Sequence, residues 1–107
     1  MLNAERIFTA IGDPLRRDLL EKLAKESPKT ATQLAELFPI TRQGVLKHLN
    51  ALQEAGLVTV RISGREKRYF LTPEPLSVLS DWAKSVGDMW DERLPRLKEM
   101  LENERKA

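Results

Sequence analysis

The sequence predicts a mostly α-helical fold that carries one two-stranded β-hairpin. Three observations lead there. Apolar residues recur every three or four positions through most of the chain. One short stretch, Val58 to Leu71, alternates instead and is split by a Ser63-Gly64 turn. Helix-start signals at Asp13-Pro14, Thr30 with Gln33, and Thr41 divide the helical part into separate elements.

The elements follow in order. Leu2, Ile7, Phe8 and Ile11 mark a short amphipathic helix that ends at Gly12. Asp13 caps the second helix and Pro14 occupies its first position. Leu15, Leu19, Leu20 and Leu23 form its stripe, and Ser27-Pro28 breaks it. The third helix opens on the Thr30/Gln33 capping box, turns Leu34, Leu37 and Phe38 inward, and closes at Pro39. Thr41 caps the fourth, which stops at Gly56 in a left-handed position. Two short helices joined by the apolar turn Phe38-Pro39-Ile40 make a helix-turn-helix over residues 30–55.

The hairpin, or wing, covers residues 57–72, with Val58, Val60 and Ile62 expected on its buried face. In its second strand Tyr69 and Leu71 share one face, Arg68 and Phe70 the other. Thr72-Pro73 is then expected to cap a long helix bearing Leu76, Leu79, Ala83, Val86, Trp90, Leu94, Leu97 and Leu101. Pro95 should kink or split that helix. A helix so long outreaches a small core and would leave Trp82, Trp90, Leu94 and Leu97 wet in a monomer, so a dimer is inferred.

A length of 107 residues suggests a single domain, residues 1–107. The absence of cysteine excludes disulfides, thiolate metal sites and a cysteine nucleophile, and it fits a reducing cytoplasm. The opening MLNAERIFTAIGD carries early charges and no long apolar run, so neither a signal peptide nor a membrane span is expected. The net charge of +2 hides a gradient: residues 1–40 sum to 0, residues 41–72 to +4 and residues 73–107 to −2. Positive charge thus gathers on the helix–hairpin unit, as a footprint for a polyanion would.

That unit can be read by angle at 100° per residue. Val45, Leu49 and Leu52 fall on one side and should pack inward, while Gln43, Lys47, Asn50 and Glu54 fall opposite, with Leu46 and Ala51 on the flanks. A polar helix face beside a basic hairpin fits a DNA duplex, with the helix in the major groove and the hairpin along the phosphates. Gln43 is assigned to base edges, adenine above all, or a phosphate; Arg42 to guanine or phosphate; Lys47 to phosphate. Leu46 either meets a thymine methyl or packs in the groove wall, and Thr41 combines capping with a phosphate contact. Asn50 faces the groove. His48, the single histidine, is given a structural or phosphate-contacting role over a metal one. Arg61, Arg65, Lys67 and Arg68 surround the wing turn and are assigned to phosphates or the minor groove. Arg16 and Arg17 are read either as a further phosphate clamp or as a solvated face.

Enzyme signatures are missing: no Gly-rich phosphate loop, no HExxH, no Cys/His pair. No catalytic residue, metal ligand or cofactor is therefore assigned. Asp81, Asp88, Asp91 and Glu92 lie at helical spacing among Lys and Arg and read as a charged helix face.

The stretches AIGDPLRRDLLEKLA, TATQLAELFPITRQGVLKHLNALQEAGLV and VRISGREKRYFLTPEPL, taken in order, resemble the ArsR family of bacterial winged-helix repressors over about residues 4–94. The resemblance implies a homodimer built by the first and long C-terminal helices, residues 1–12 and 73–104. Its interface would include Leu2, Ile7, Phe8, Leu79, Trp82, Val86, Trp90, Leu94 and Leu97. It also implies binding to a pseudo-palindromic operator and repression until a signal arrives. The chain departs from the metal-sensing members: it has no Cys around Thr32 to Leu37 and no His in the C-terminal helix. Residues Leu71 to Glu102 look more like a subgroup without metal ligands, often paired with a lipid- or ligand-binding protein. An effector, ligand or protein, is left open. Two other readings stand beside the repressor. One is a metal-responsive repressor using carboxylates and His48, and the other is a winged-helix interaction module that no longer binds DNA.

Overall fold

The computed structural model describes residues 4–106, without the side chains of Trp90, Glu92, Arg93, Leu94, Leu97, Lys98 and residues 104–106. Its elements are α1 (Ala4–Ile11), α2 (Pro14–Lys25), α3 (Ala31–Leu37), α4 (Arg42–Glu54), β1 (Val58–Ser63), β2 (Glu66–Leu71) and α5 (Leu76–Lys106).

The helix boundaries follow from local chemistry. The Asp13 carboxylate accepts from the N–H groups of Leu15 and Arg16, at 2.8 and 3.3 Å, and Pro14 starts α2. Desolvation opposes ionisation of this carboxyl. The two N–H donors and the nearby His48 and Arg16 outweigh it and hold its pKa below the ordinary value. Thr30 and Gln33 satisfy each other's backbone N–H groups in a complete capping box. The Thr41 hydroxyl accepts from Gly44 N–H at 3.0 Å. Gly56, at φ +79°, ends α4 in a Schellman turn, with Gly56 N–H bonded to Gln53 O and Leu57 N–H to Leu52 O, both at 2.9 Å.

Among the described residues, the hydrophobic core side chains sealed almost completely include Ile7, Leu19, Leu23, Leu34, Val45, Leu49, Leu52 and Leu57. They come from α1 to α4 and the entry to β1, so the recognition unit shares one core with the first two helices. Phe38 and Ile40 of the turn pack against that core, as anticipated. Leu37 does not. It is half exposed, because the chain leaves α3 in an extended conformation at Phe38 and that residue turns inward instead.

The hairpin is antiparallel, with Val58, Val60 and Ile62 opposite Leu71, Tyr69 and Lys67. Gly64, at φ +62°, leads its two-residue turn, as the primed turns of tight hairpins require. Val58 and Tyr69 are buried and Val60 partly so, but Ile62 is 73% exposed, which corrects the expectation of a buried face along the whole strand. The outer half of the hairpin projects past the helices, so no core lies beneath it. Its inner half is anchored by a backbone bridge: Tyr69 N–H donates to Lys29 O at 2.8 Å and Lys29 N–H to Tyr69 O at 3.1 Å.

The last helix starts later than expected and is not divided at Pro95. It begins at Leu76, not at Thr72. Thr72 stays with the hairpin, its N–H bonded to Leu57 O and its hydroxyl to that of Thr59, and Pro75 disfavours helix at Glu74. Nor does Pro95 split it, for α5 runs helical from Leu76 to Lys106. The N–H that proline lacks would have served Asp91, which is exposed, so water can serve that carbonyl instead. At 1.5 Å per residue this helix is about 46 Å long. It stretches the molecule to 72 × 33 × 21 Å and its radius of gyration to 19.5 Å. A fully packed chain of this size would reach only about 13 Å. Leu76, Val78 and Leu79 pack on the core, and the rest of the helix extends away from it.

Candidate nucleic-acid interface

The fourth helix sits as the angular reading requires. Val45, Leu49 and Leu52 are sealed in the core, and Gln43, Lys47, Asn50 and Glu54 are exposed. Its two flanks meet different neighbours. On one side Arg42 and Leu46 face the wing across a cleft of about 510 Å³ that Thr32, Arg65 and Lys67 also line. Arg42 Nε donates to the Thr32 hydroxyl at 3.2 Å, which ties the start of α4 to α3. On the other side His48 turns to α2, where its Nδ1 accepts from Arg16 Nε at 3.1 Å.

The Arg16–His48 contact was not legible in the sequence, since 32 positions separate the two. One ring nitrogen of His48 is thus engaged within the fold, on the flank away from the wing. The contact engages only Nε of Arg16 and leaves the two Nη groups of its guanidinium available. Arg17 is engaged too, with Nη1 donating to Ile11 O at 2.6 Å and so closing the end of α1.

The wing cations divide between faces. Lys67 lies on the face of Tyr69, towards the helices, and with Arg65 it borders the cleft. Arg61 and Arg68 are paired across the strands on the opposite face. Two like charges so placed repel. Arg68 answers with Glu66 at 3.3 Å, and Arg61 lies over the Phe70 ring, 5.6 Å from its centre. Thus Arg42, Leu46, Arg65 and Lys67 come together in one cleft, with Gln43, Lys47 and Asn50 on the adjoining helix face. Arg61, Arg68 and His48 stand apart from it. Thr41 keeps its capping role and remains exposed.

The residues assigned to a dimer interface also separate. Ile7 is wholly buried in its own core and has no surface left for a partner, which corrects that assignment. Leu79 is partly buried against the same core. Phe8 meets Trp82 edge to face, ring centres 5.0 Å apart, which locks α1 to α5. Trp82 nevertheless stays 54% exposed and Met89 56%, with Val86 between them at helical spacing. Leu2 and the side chains of Trp90, Leu94 and Leu97 lie outside the described residues. Among the described residues no group of three or more His, Asp or Glu is placed to hold a metal ion, and no helix is long and apolar enough to cross a membrane.

A helix-turn-helix whose second helix presents a polar face beside a basic hairpin defines the winged helix-turn-helix class. The family described as a helix-turn-helix domain matches residues 11–61. The chain is 36% identical over 87 residues to the HTH-type transcriptional regulator YuzN of Bacillus subtilis, covering 75% of this chain and 95% of that one. It is 34% identical over 76 residues to the transcriptional repressor SdpR of the same organism, covering 71% and 83%. The structure of an ArsR-like transcriptional regulator from Rhodococcus sp. RHA1 superposes with a TM-score of 0.76 at 35% identity, covering 92% of this chain and 90% of that one. The chain belongs to the ArsR family of winged helix-turn-helix transcriptional regulators.

Proposed function

We propose that the protein, as one winged helix-turn-helix unit over residues 1–107, forms a homodimer that binds double-stranded DNA at a pseudo-palindromic operator. It represses transcription there, acts in the cytoplasm, catalyses no reaction and does not sense metal. One observation carries the reading: the exposed Gln43, Lys47 and Asn50 face of α4 adjoins a cleft bordered by Arg42, Arg65 and Lys67. Bases would meet the helix face and phosphates the cations. The relative named as a transcriptional repressor supports the sign of regulation. The lack of any cysteine supports metal independence and leaves release from DNA to a small molecule or a protein partner.

Dimerisation is supported by the apolar edge of α5 around Trp82, Val86 and Met89, which its own chain leaves uncovered. Trp82→Glu is expected to yield monomers in analytical ultracentrifugation. It should also weaken DNA binding by about 100-fold or more, because the second head no longer binds at high effective concentration. A stable dimer in that variant would place the interface elsewhere.

The reading as a whole is tested by sequencing genomic fragments retained by the purified protein. Inverted half-sites centred about 10–10.5 base pairs apart, or a multiple of that, are expected. Retention of no fragment at low salt would favour an interaction module. Stoichiometric zinc or nickel in equilibrium dialysis would restore the metal-responsive alternative.

A further inference from the structure

The cleft between α3, α4 and the wing contains a group that the reading above leaves unused. Tyr69 is only 2% exposed. Its hydroxyl has no hydrogen-bond partner among the described residues. Yet no fully buried side-chain oxygen there lacks a partner, so this hydroxyl reaches open space, and Tyr69 lines the cleft. Phenylalanine would fill the same core position, so the hydroxyl adds nothing to the packing. The hydroxyl is therefore free to donate to a group that enters the cleft.

The surroundings say which chemistry that partner has. Arg42, Arg65 and Lys67 border the same cleft. Thr32, which accepts from Arg42, keeps its own hydroxyl proton to donate. Glu66 also lines the cleft, but its carboxylate is held by Arg68 at 3.3 Å. Desolvation pushes the Tyr69 phenol up in pKa against the opposing charge of Arg42, so at neutral pH it remains a donor. The site thus offers positive charge and hydroxyl donors, and a phosphate group offers only acceptors. Arg42 and Leu46 of α4 line the cleft, next in the helix to the exposed Gln43 and Lys47.

We propose that this cleft seats one backbone phosphate of bound DNA, with the Tyr69 hydroxyl donating to it between Arg42 and Lys67. The proposal rests on the DNA-binding reading and adds a neutral contact to it. Tyr69→Phe keeps the ring and the packing and removes only the donor. Its affinity is expected to fall at least about tenfold on every DNA sequence, as for loss of a hydrogen bond to a charged group. Its thermal midpoint should not fall. The slope of log affinity against log salt should stay unchanged, because a neutral hydroxyl displaces no counterion, whereas Lys67→Ala should flatten it. Wild-type affinity in Tyr69→Phe would overturn the phosphate seat while leaving DNA binding intact. Failure of the wild-type protein to retard any DNA would instead overturn the reading beneath it. Inorganic phosphate that binds the wild-type protein but not Tyr69→Phe, and does so without competing with DNA, would assign the cleft to a free phosphate ligand and overturn the backbone seat.

Discussion

Raising salt from 50 to 200 mM is expected to weaken DNA binding by about four orders of magnitude. Arg42, Lys47, Arg65 and Lys67 are exposed on the proposed interface, and none of them joins an ion pair among the described residues. A dimer would bring each of them twice. If each meets a phosphate, log affinity should fall with log salt at a slope of about −7. Lys47→Ala should lower affinity on all sequences alike and flatten that slope by about two, one for each protomer. Fluorescence anisotropy titrations across the salt range measure both quantities. A slope shallower than about −3 would mean that most of these cations meet no phosphate.

Leu49→Ala is expected to destabilise the fold by about 2–5 kcal/mol. Leu49 is fully buried in the centre of α4, among side chains drawn from the first four helices and β1. Removing it leaves a cavity in a core that serves both the DNA-reading helix and the helices holding it. Urea unfolding should show the midpoint falling. Leu46→Ala, on the half-buried flank, should cost much less. Well below its own unfolding midpoint, Leu49→Ala should still bind DNA, since Leu49 has no surface with which to touch it. Loss of binding by fully folded Leu49→Ala would show that the cavity moves α4 itself.

Much of the helix–hairpin unit was legible in the sequence because its signals are local. A capping box needs only Thr30 and Gln33, and a Schellman turn needs a glycine where φ is +79°. The inward side of α4 follows from helical periodicity alone, and burial of Val45, Leu49 and Leu52 agrees with it. The misjudged residues are those whose exposure depends on a distant surface. Ile62 alternates correctly yet lies beyond the edge of the helical layer. Ile7 carries an apolar side chain that an interface and a core would welcome equally, and only the packing of α1 against α2 and α4 placed it in the core. Thr72 and Pro73 carry a capping signal that the hairpin overrides through Leu57 and Thr59.

The sequence by itself determined the order of the elements, most of their ends, the polar side of α4 and the concentration of charge on residues 41–72. Only the tertiary structure decided which flank of α4 faces the wing and which faces Arg16. It alone brought Tyr69 beside Arg42. The reason is physical. Caps and periodicity act within one or two turns of the chain, whereas the cleft joins residues 32, 42 and 69 through packing that no local spacing encodes.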